Sequence, residues 1–365
     1  MAHYGSGFQK YLSIISNRLL ENAIWTFADL GIADLLAAAG TPQTAYELAQ
    51  KQGWNGELLY RLLRLVADAD IVREIKSTEN NQLERTNQFE LTEDGHYLTC
   101  NHPSRARYLL CWELSSINKR VSLHLPQLIR EGYSKGNAFQ QEFGNTSLFQ
   151  FLEKEENQNV AHSFSEAMSS YSSLSRQSVV NAVDFSRFNT IVDIGGSLGA
   201  LLSSILEKYS TIKLGICFDL SNVIEQSKIS NEIEKQNISK DRYQFLAGDM
   251  FNPGTIPQVD AYIMKHIIHD WDDTKSIEIL KSIRTAANGQ PIVVFIIDLV
   301  ISFDDKQNQF VNQFAHAIDV HMMTVASGKE RTQKQFQYLF EESGFTFKHL
   351  YHTETPYSIL EVTAN

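Results

Sequence analysis

The stretch Thr190 to Ala200, TIVDIGGSLGA, limits what this chain can fold into more than any other. Ile191, Val192 and Ile194 read as a short buried strand that runs directly into Gly195, Gly196 and Gly199. Leu201 to Tyr209, LLSSILEKY, is then apolar at helical spacing. Strand, glycine-rich turn and helix make the opening unit of a nucleotide-binding α/β sheet. Glycine suits such a turn because the backbone bends sharply and a ligand approaches where a Cβ would stand. The helix N-terminus that follows favours negative charge.

The spacing argues against a dinucleotide. Counted from Gly195, the pattern G-x-G-x-x-G fails, because Ser197 and Ala200 occupy its second and third glycine positions. The residues instead read Asp-x-Gly-Gly-x-x-Gly, with Asp193 two places before the first glycine. An acid there repels a pyrophosphate but pairs with an ammonium or accepts from a hydroxyl. That chemistry suits S-adenosylmethionine, which has an amino-acid head and no phosphate. Lys213 to Phe218 reads as a second strand ending at Asp219, placed to accept from ribose hydroxyls. Tyr243 to Ala247 reads as a third, followed by Gly248, Asp249 and Met250. A carboxylate and a thioether at that point can meet the amino group and face of an adenine.

Val259 to Met264 is the next expected strand, and Lys265, His266 and His269 follow it directly. Ligands of open parallel sheets bind at the carboxyl ends of strands, so chemistry belongs here. His269, flanked by Asp270 and Trp271, is the best candidate base, with an ordinary pKa of about 6.5. His266 and His269 are three apart, yet no further metal ligand is evident, so no metal is expected. Asp272 or Asp273 caps a helix that buries Ile277, Leu280 and Ile283. A fifth strand, Ile292 to Ile297, ends at Asp298. Ala315 to Val325 reads as helical, SGKERT opens a helix over Gln333 to Glu342, and Phe345 to Leu350 and Tyr357 to Val362 close the chain as a β-hairpin. An antiparallel ending is unlike a dinucleotide domain and like a methyltransferase sheet.

Three parts are expected: residues 1–100, 101–185 and 186–365. In the first, Phe8 to Leu36 reads as two helices broken at Gly31, with a stripe of Leu12, Ile15, Leu19 and Ala23. Thr44 and Glu47 form a capping box for a helix that stops at Gly53. Asn55 caps the next helix, with Leu58, Leu62, Leu65 and Val66 on one face. Asp70 to Ile75 and Leu83 to Leu91 read as a hairpin round Lys76 to Gln82. Three helices and a two-stranded wing make a winged helix. Its candidate recognition helix offers Arg61 and Arg64, offset by Glu57 and Asp68, and the chain carries a net charge of -11. That balance excludes broad phosphate binding and favours packing or dimerisation over nucleic acid. The second part reads as helices over Tyr108 to Trp112, Val121 to Leu128, Thr146 to Leu152 and Val160 to Val183, with Phe164, Met168 and Tyr171 on one face. Three scattered cysteines suggest a reducing compartment, and no run reaches membrane-spanning length, so a cytoplasmic location without membrane contact is expected.

The stretches VDIGGSLG, FDLSNVI, GDMF, MKHIIHDWDD and GKERT, with FSEAMSS and the N-terminal module, resemble the S-adenosylmethionine-dependent small-molecule O-methyltransferases of the caffeic acid and acetylserotonin type. The resemblance spans nearly the whole chain. It implies a Rossmann-like methyltransferase sheet with a C-terminal antiparallel hairpin, joined to an N-terminal, mainly helical winged-helix dimerisation domain, in a homodimer. It implies that Gly195, Asp219, Asp249, Met250 and Lys265 hold the cofactor, with Ser172 near its carboxylate end. His269 would be the base, oriented by Glu330 and Asp298. Met168, Trp112, His321 and Met322 would border a phenolic or hydroxyindole acceptor. Three departures stand out: Ser197 replaces the family's middle glycine, Ser221 replaces a usual proline, and NGQPIVVFIID carries extra residues before its acid. The alternatives are an N-methyl acceptor, a cofactor-binding relative with other chemistry, and a winged-helix regulator.

Overall fold

The computed structural model describes residues 6–76, 87–230, 233, 238–302 and 309–364. Most of the expected polar turn, residues 77–82, lies outside the described residues, as do the start of the hairpin strand expected over Leu83 to Leu91, before Asn87, and part of the chain beyond Ser230. The chain divides into two compact units, residues 1–120 with 155–171, and residues 121–154 with 172–365.

The first unit opens with α1 (Phe8–Asp29) and α2 (Ile32–Ala39), separated at Gly31. β1 (Gln43–Thr44) leads into α3 (Ala45–Gln52), where the capping box of Thr44 and Glu47 is complete and Gly53 ends the helix. Asn55 caps α4 (Gly56–Ala67) by accepting from the Leu58 backbone N–H. β2 (Val72–Ile75) pairs antiparallel with β3 (Gln88–Leu91), and β1 adds a third strand on the other side of β3. Two expectations are corrected. The buried face of α4 is Leu59, Tyr60, Leu63 and Val66, while Leu58 points outward and Leu62 and Leu65 flank the core. The α1 stripe also divides. Ala23 and Phe27 are buried, whereas Phe8, Tyr11, Leu12, Ile15 and Leu19 stand exposed in the single chain. α5 (Ala106–Glu113) completes this unit, with the start of α6 (Ser116–Ser122).

The second unit begins with α7 (Leu125–Glu131), α8 (Ala138–Glu142) and α9 (Leu148–Leu152), the last capped by Ser147. The helix expected over Val121 to Leu128 is therefore two helices, α6 and α7, broken at Leu123 and His124. α10 (Gln158–Ala182) belongs to the first unit up to Tyr171 and to the second from Ser172. The main sheet contains β4 (Thr190–Ile194), β5 (Leu214–Asp219), β6 (Tyr243–Ala247), β7 (Ala261–Lys265), β8 (Ile292–Ile301), β10 (Thr346–His352) and β11 (Tyr357–Ala364). Its order is β10-β11-β8-β7-β4-β5-β6. β4 to β8 are mutually parallel, and β11 is antiparallel to both β8 and β10.

Central strands read as nearly unbroken apolar runs because both faces are covered. Val192, Tyr262 and Met264 pack with Ile279 and Ile283 of α13 (Asp273–Ala286) and Phe336 and Phe340 of α15 (Gln333–Ser343). α11 (Ala200–Lys208) and α12 (Ser221–Ser230) follow β4 and β5, and α14 (Gln309–Val325) precedes α15. Asp272 caps α13 by accepting from Lys275 N, and its buried face is Ser276, Ile279, Leu280 and Ile283. β8 does not stop at Asp298. Val300 and Ile301 pair in parallel with β9 (Arg331–Thr332), which prolongs the strand and brings Glu330 beside it. The winding of the sheet reverses at β4, between β5 and β7, so a crevice opens at the carboxyl ends of these strands.

Candidate active site

The carboxyl ends of β4, β5, β6 and β7 gather the candidate cofactor residues on one edge. Gly195 has φ +70, and a Cβ there would meet Ile267 Cδ1 at 2.2 Å. The turn therefore needs glycine both for its backbone and for the close approach of the β7 loop. Ser197, at φ +50, takes a left-handed conformation without that freedom. Its backbone N–H donates to Asp219 Oδ2 at 2.9 Å, and Leu220 N donates to Asp219 Oδ1 at 2.8 Å. Burial raises the Asp219 pKa, and those two backbone donors draw it back down. Asp249 is exposed and accepts from Phe251 N, while Met250 is half-buried against the core. Lys265 Nζ donates to Ser172 Oγ at 3.2 Å. Burial lowers the Lys265 pKa to about 8, against the pull of Asp193 and Asp298. Burial pushes Asp193 up to about 7, with Lys265 opposing and Asp219 adding.

β7 ends at Lys265, opposite Ile297 of β8, and the chain turns left-handed at His266, φ +56. A short 3₁₀ turn, Ile268–Asp270, then presents His269. Its Nδ1 lies 2.7 Å from Glu330 Oε1, and its Nε2 lies 3.6 Å from Asp270 Oδ1. The Glu330 side chain is fully buried and its backbone N–H donates to Asp319 Oδ1 of α14 at 2.8 Å. Asp298 stands one residue past the partner of Lys265, which puts it level with this turn. It is fully buried, and neither carboxyl oxygen has a hydrogen-bond partner among the described residues.

The electrostatics differ from the expectation of an ordinary histidine. Burial lowers the His269 pKa, but the charge and hydrogen bond of Glu330, then Asp270 and Asp298, raise it to about 10. Burial raises Asp298 to about 7, with His269 opposing and Glu330 and Asp270 adding. Burial likewise brings Asp270 to about 6. His266, 5.3 Å from His269 between ring centroids, is held well below the usual histidine range by burial, Lys265 and His269. The surrounding acids thus favour the protonated form of His269, while burial and its cationic neighbours favour the neutral form of His266. Among the described residues no group of three or more His, Cys, Asp or Glu could hold a metal ion.

His321 is half-buried and Met322 is buried on α14, the helix whose Asp319 holds Glu330. Trp112 and Met168 lie in the first unit. There Trp112 packs edge-on against Phe164 at 5.1 Å, Met168 is one helical turn further along α10, and Tyr171 donates to Glu113 at 3.1 Å. Asp193 and Asp270 were marked in the sequence as neighbours of the glycine turn and of His269 without a place among the site residues, and Asp319 was not marked at all. Nothing local marks Asp319, whose role depends on a contact between α14 and the backbone of Glu330.

An O-methyltransferase domain matches residues 123–346, and an O-methyltransferase dimerisation domain matches residues 12–99. The chain belongs to the O-methyltransferase family. It is 31% identical over 353 residues to the phenazine O-methyltransferase PhzM of Lysobacter antibioticus, covering 96% of this chain and 94% of that protein. The solved structure of the mitomycin 7-O-methyltransferase MmcR gives a TM-score of 0.81 at 26% identity, over 98% of this chain and 97% of that one. Human N-acetylserotonin methyltransferase, solved in complex with S-adenosylmethionine, gives 0.83 at 22% identity over 100% and 99%, a likeness of fold. The protein is accordingly an S-adenosylmethionine-dependent O-methyltransferase of the small-molecule type, and S-adenosyl-L-methionine is its cofactor. Among the described residues no helix of this O-methyltransferase is long and apolar enough to cross a membrane.

Proposed function

We propose that this O-methyltransferase methylates a hydroxyl of a small aromatic molecule, phenolic or hydroxyindole, with His269 as general base. The observation that carries this reading is the 2.7 Å contact of His269 Nδ1 with a fully buried carboxylate, Glu330. A carboxylate on one ring nitrogen fixes the tautomer and leaves Nε2 for the acceptor. A phenol has a pKa of about 10 if it resembles tyrosine, so a base of similar strength is well matched to it. A relative named for phenazine, an aromatic compound, supports the acceptor class.

When bound, the cofactor supplies a methyl group already activated on a sulfonium, so the chain's task is proximity and orientation. The residues present fit it. Asp219 uses one lone pair on each oxygen for backbone N–H groups and keeps others for ribose hydroxyls. Lys265 and Ser172 form a donor pair suited to its carboxylate. Gly195 keeps the turn narrow, and Asp249 and Met250 would meet the adenine. His269 holds the hydroxyl proton at Nε2, while Glu330 and Asp298 stabilise the imidazolium. The resemblance assigns the acceptor border to Met168, Trp112, His321 and Met322, and we keep that assignment. Residues 1–100 serve dimerisation, 101–185 connect, and 186–365 hold the cofactor. We take the enzyme as a cytosolic homodimer, and this reading gives no role to a metal, a nucleic acid or a membrane.

The reactive state carries one proton fewer than the resting site and a neutral phenol together. Because the His269 pKa is raised, kcat/KM should climb with pH from neutrality into the alkaline range. The identity of the acceptor is tested by transfer of labelled methyl to a panel of phenols, hydroxyindoles and amines. Transfer to the hydroxyl compounds is expected; transfer confined to amines would overturn the reading.

A further inference from the structure

One segment, residues 328–331, grips the loop that presents His269. Arg331 is fully buried. Its Nη1 donates to Ile268 O at 3.0 Å and its Nη2 to Trp271 O at 2.8 Å. Its Nε and Nη2 both reach Asp273 Oδ1, at 3.0 and 2.9 Å, and Nη2 also reaches Ser276 Oγ at 3.3 Å. Between those two anchored carbonyls, the carbonyl of His269 itself accepts from Lys329 N at 2.9 Å. Gly328 lies so close that a Cβ on it would stand 2.0 Å from His269 O and 2.8 Å from the Asp270 carbonyl carbon. The same segment carries Glu330.

A buried cation is an expensive way to fill space, since well-packed apolar residues often serve stability as well or better. A guanidinium does what they cannot: its donors are fixed in a plane and can satisfy two carbonyls and a carboxylate at once. The Ile268–Asp270 turn has three residues, and the hydrogen-bond geometry of such 3₁₀ turns is poorer than that of an α-helix.

We propose that Arg331 is a positioning residue for catalysis: it locks the Ile268–Trp271 loop against the segment bearing Glu330, so that imidazole and carboxylate meet before the acceptor binds. The inference rests on the reading of His269 as the base. Gly328 has the companion role of letting the two backbones touch. Asp273 partners the guanidinium from the outer side, with Lys329 Nζ on its other oxygen at 2.8 Å.

The test follows the His269 ring by NMR in histidine-labelled protein without ligands, with the resonance assigned by its loss in His269→Gln. In the wild type it should stay protonated well above neutrality. In Arg331→Lys, which keeps the charge and loses the fork, the titration should fall towards the ordinary value of about 6.5. Turnover should drop by about 10²-fold, the scale of a displaced reacting group, while KM for S-adenosylmethionine holds. Gly328→Ala, which leaves Arg331 in place, should show the same pair of changes and carries the test alone if Arg331→Lys does not fold. A wild-type titration in a folded variant would overturn the proposal. Full turnover in His269→Gln would remove the base reading, and the titration would still decide whether Arg331 sets the pair.

Discussion

Asp219 illustrates how a single carboxylate can serve a turn and a ligand together. Its two oxygens already accept from Ser197 and Leu220, which ties the end of β5 to the glycine turn after β4. Its remaining lone pairs are those proposed to meet a ribose. Asp219→Ala should weaken S-adenosylmethionine binding by about 1.5–3 kcal/mol, the scale for hydrogen bonds to a charged group. Calorimetry showing unchanged affinity would take Asp219 out of the site. Its position was legible from the sequence because an acid at the end of a strand is a local pattern. Glu330 came from the GKERT motif, and its contact with His269 bridges residues far apart in the chain. Arg331, in the same motif, drew no attention: the bonds that tie it to the His269 loop go to backbone carbonyls, which leave no trace in side-chain identity.

At the scale of elements, the glycine turn holds a visible compromise. Ser197 sits at φ +50, a conformation that is unfavourable for a residue with a Cβ by roughly 1–2 kcal/mol. Its carbonyl accepts from Ser227 Oγ at 2.7 Å, so the turn is also anchored to α12. Ser197→Gly keeps every backbone contact and should stabilise the folded protein by about 1 kcal/mol, less the added freedom of the unfolded chain. Denaturant titration reads this directly, and a destabilised variant would show that the Ser197 side chain contributes something the backbone contacts do not. Helix caps were readable in advance, as at Thr44, Asn55 and Asp272, because a cap is a local hydrogen bond. The face of α4 was misread by one residue, since Leu58 and Leu59 are both apolar and only packing decides which turns inward. The end of β8 was misread because its last residues pair with β9, a strand of two residues with no pattern of its own.

For the whole molecule, the outward half of α1 is the unexplained surface of the single chain. Phe8 is 76% exposed and Tyr11 63%, with Leu12, Ile15 and Leu19 alongside. Contiguous apolar surface of this kind is seldom left to solvent, and the matched dimerisation domain begins at residue 12. Light scattering at micromolar concentration should give twice the chain mass, and a monomer mass would contradict the homodimer. Removal of the first 30 residues should leave a monomeric or insoluble product with little turnover. The class of the sheet followed from apolar strands alternating with helices and from an antiparallel end, while its strand order came from the structure. The acceptor did not follow from the sequence, because the residues assigned to its border are dispersed over separate helices and share no motif.

The central claim is that His269 removes the acceptor proton while Glu330 supports the resulting charge. Turnover of His269→Gln, measured with cofactor affinity on the same preparation, tests it most directly. The account predicts a fall in kcat of about 10²–10⁴-fold, the range for a positioned base, with S-adenosylmethionine affinity unchanged. Turnover equal to the wild type, or loss of cofactor binding together with activity, would contradict it.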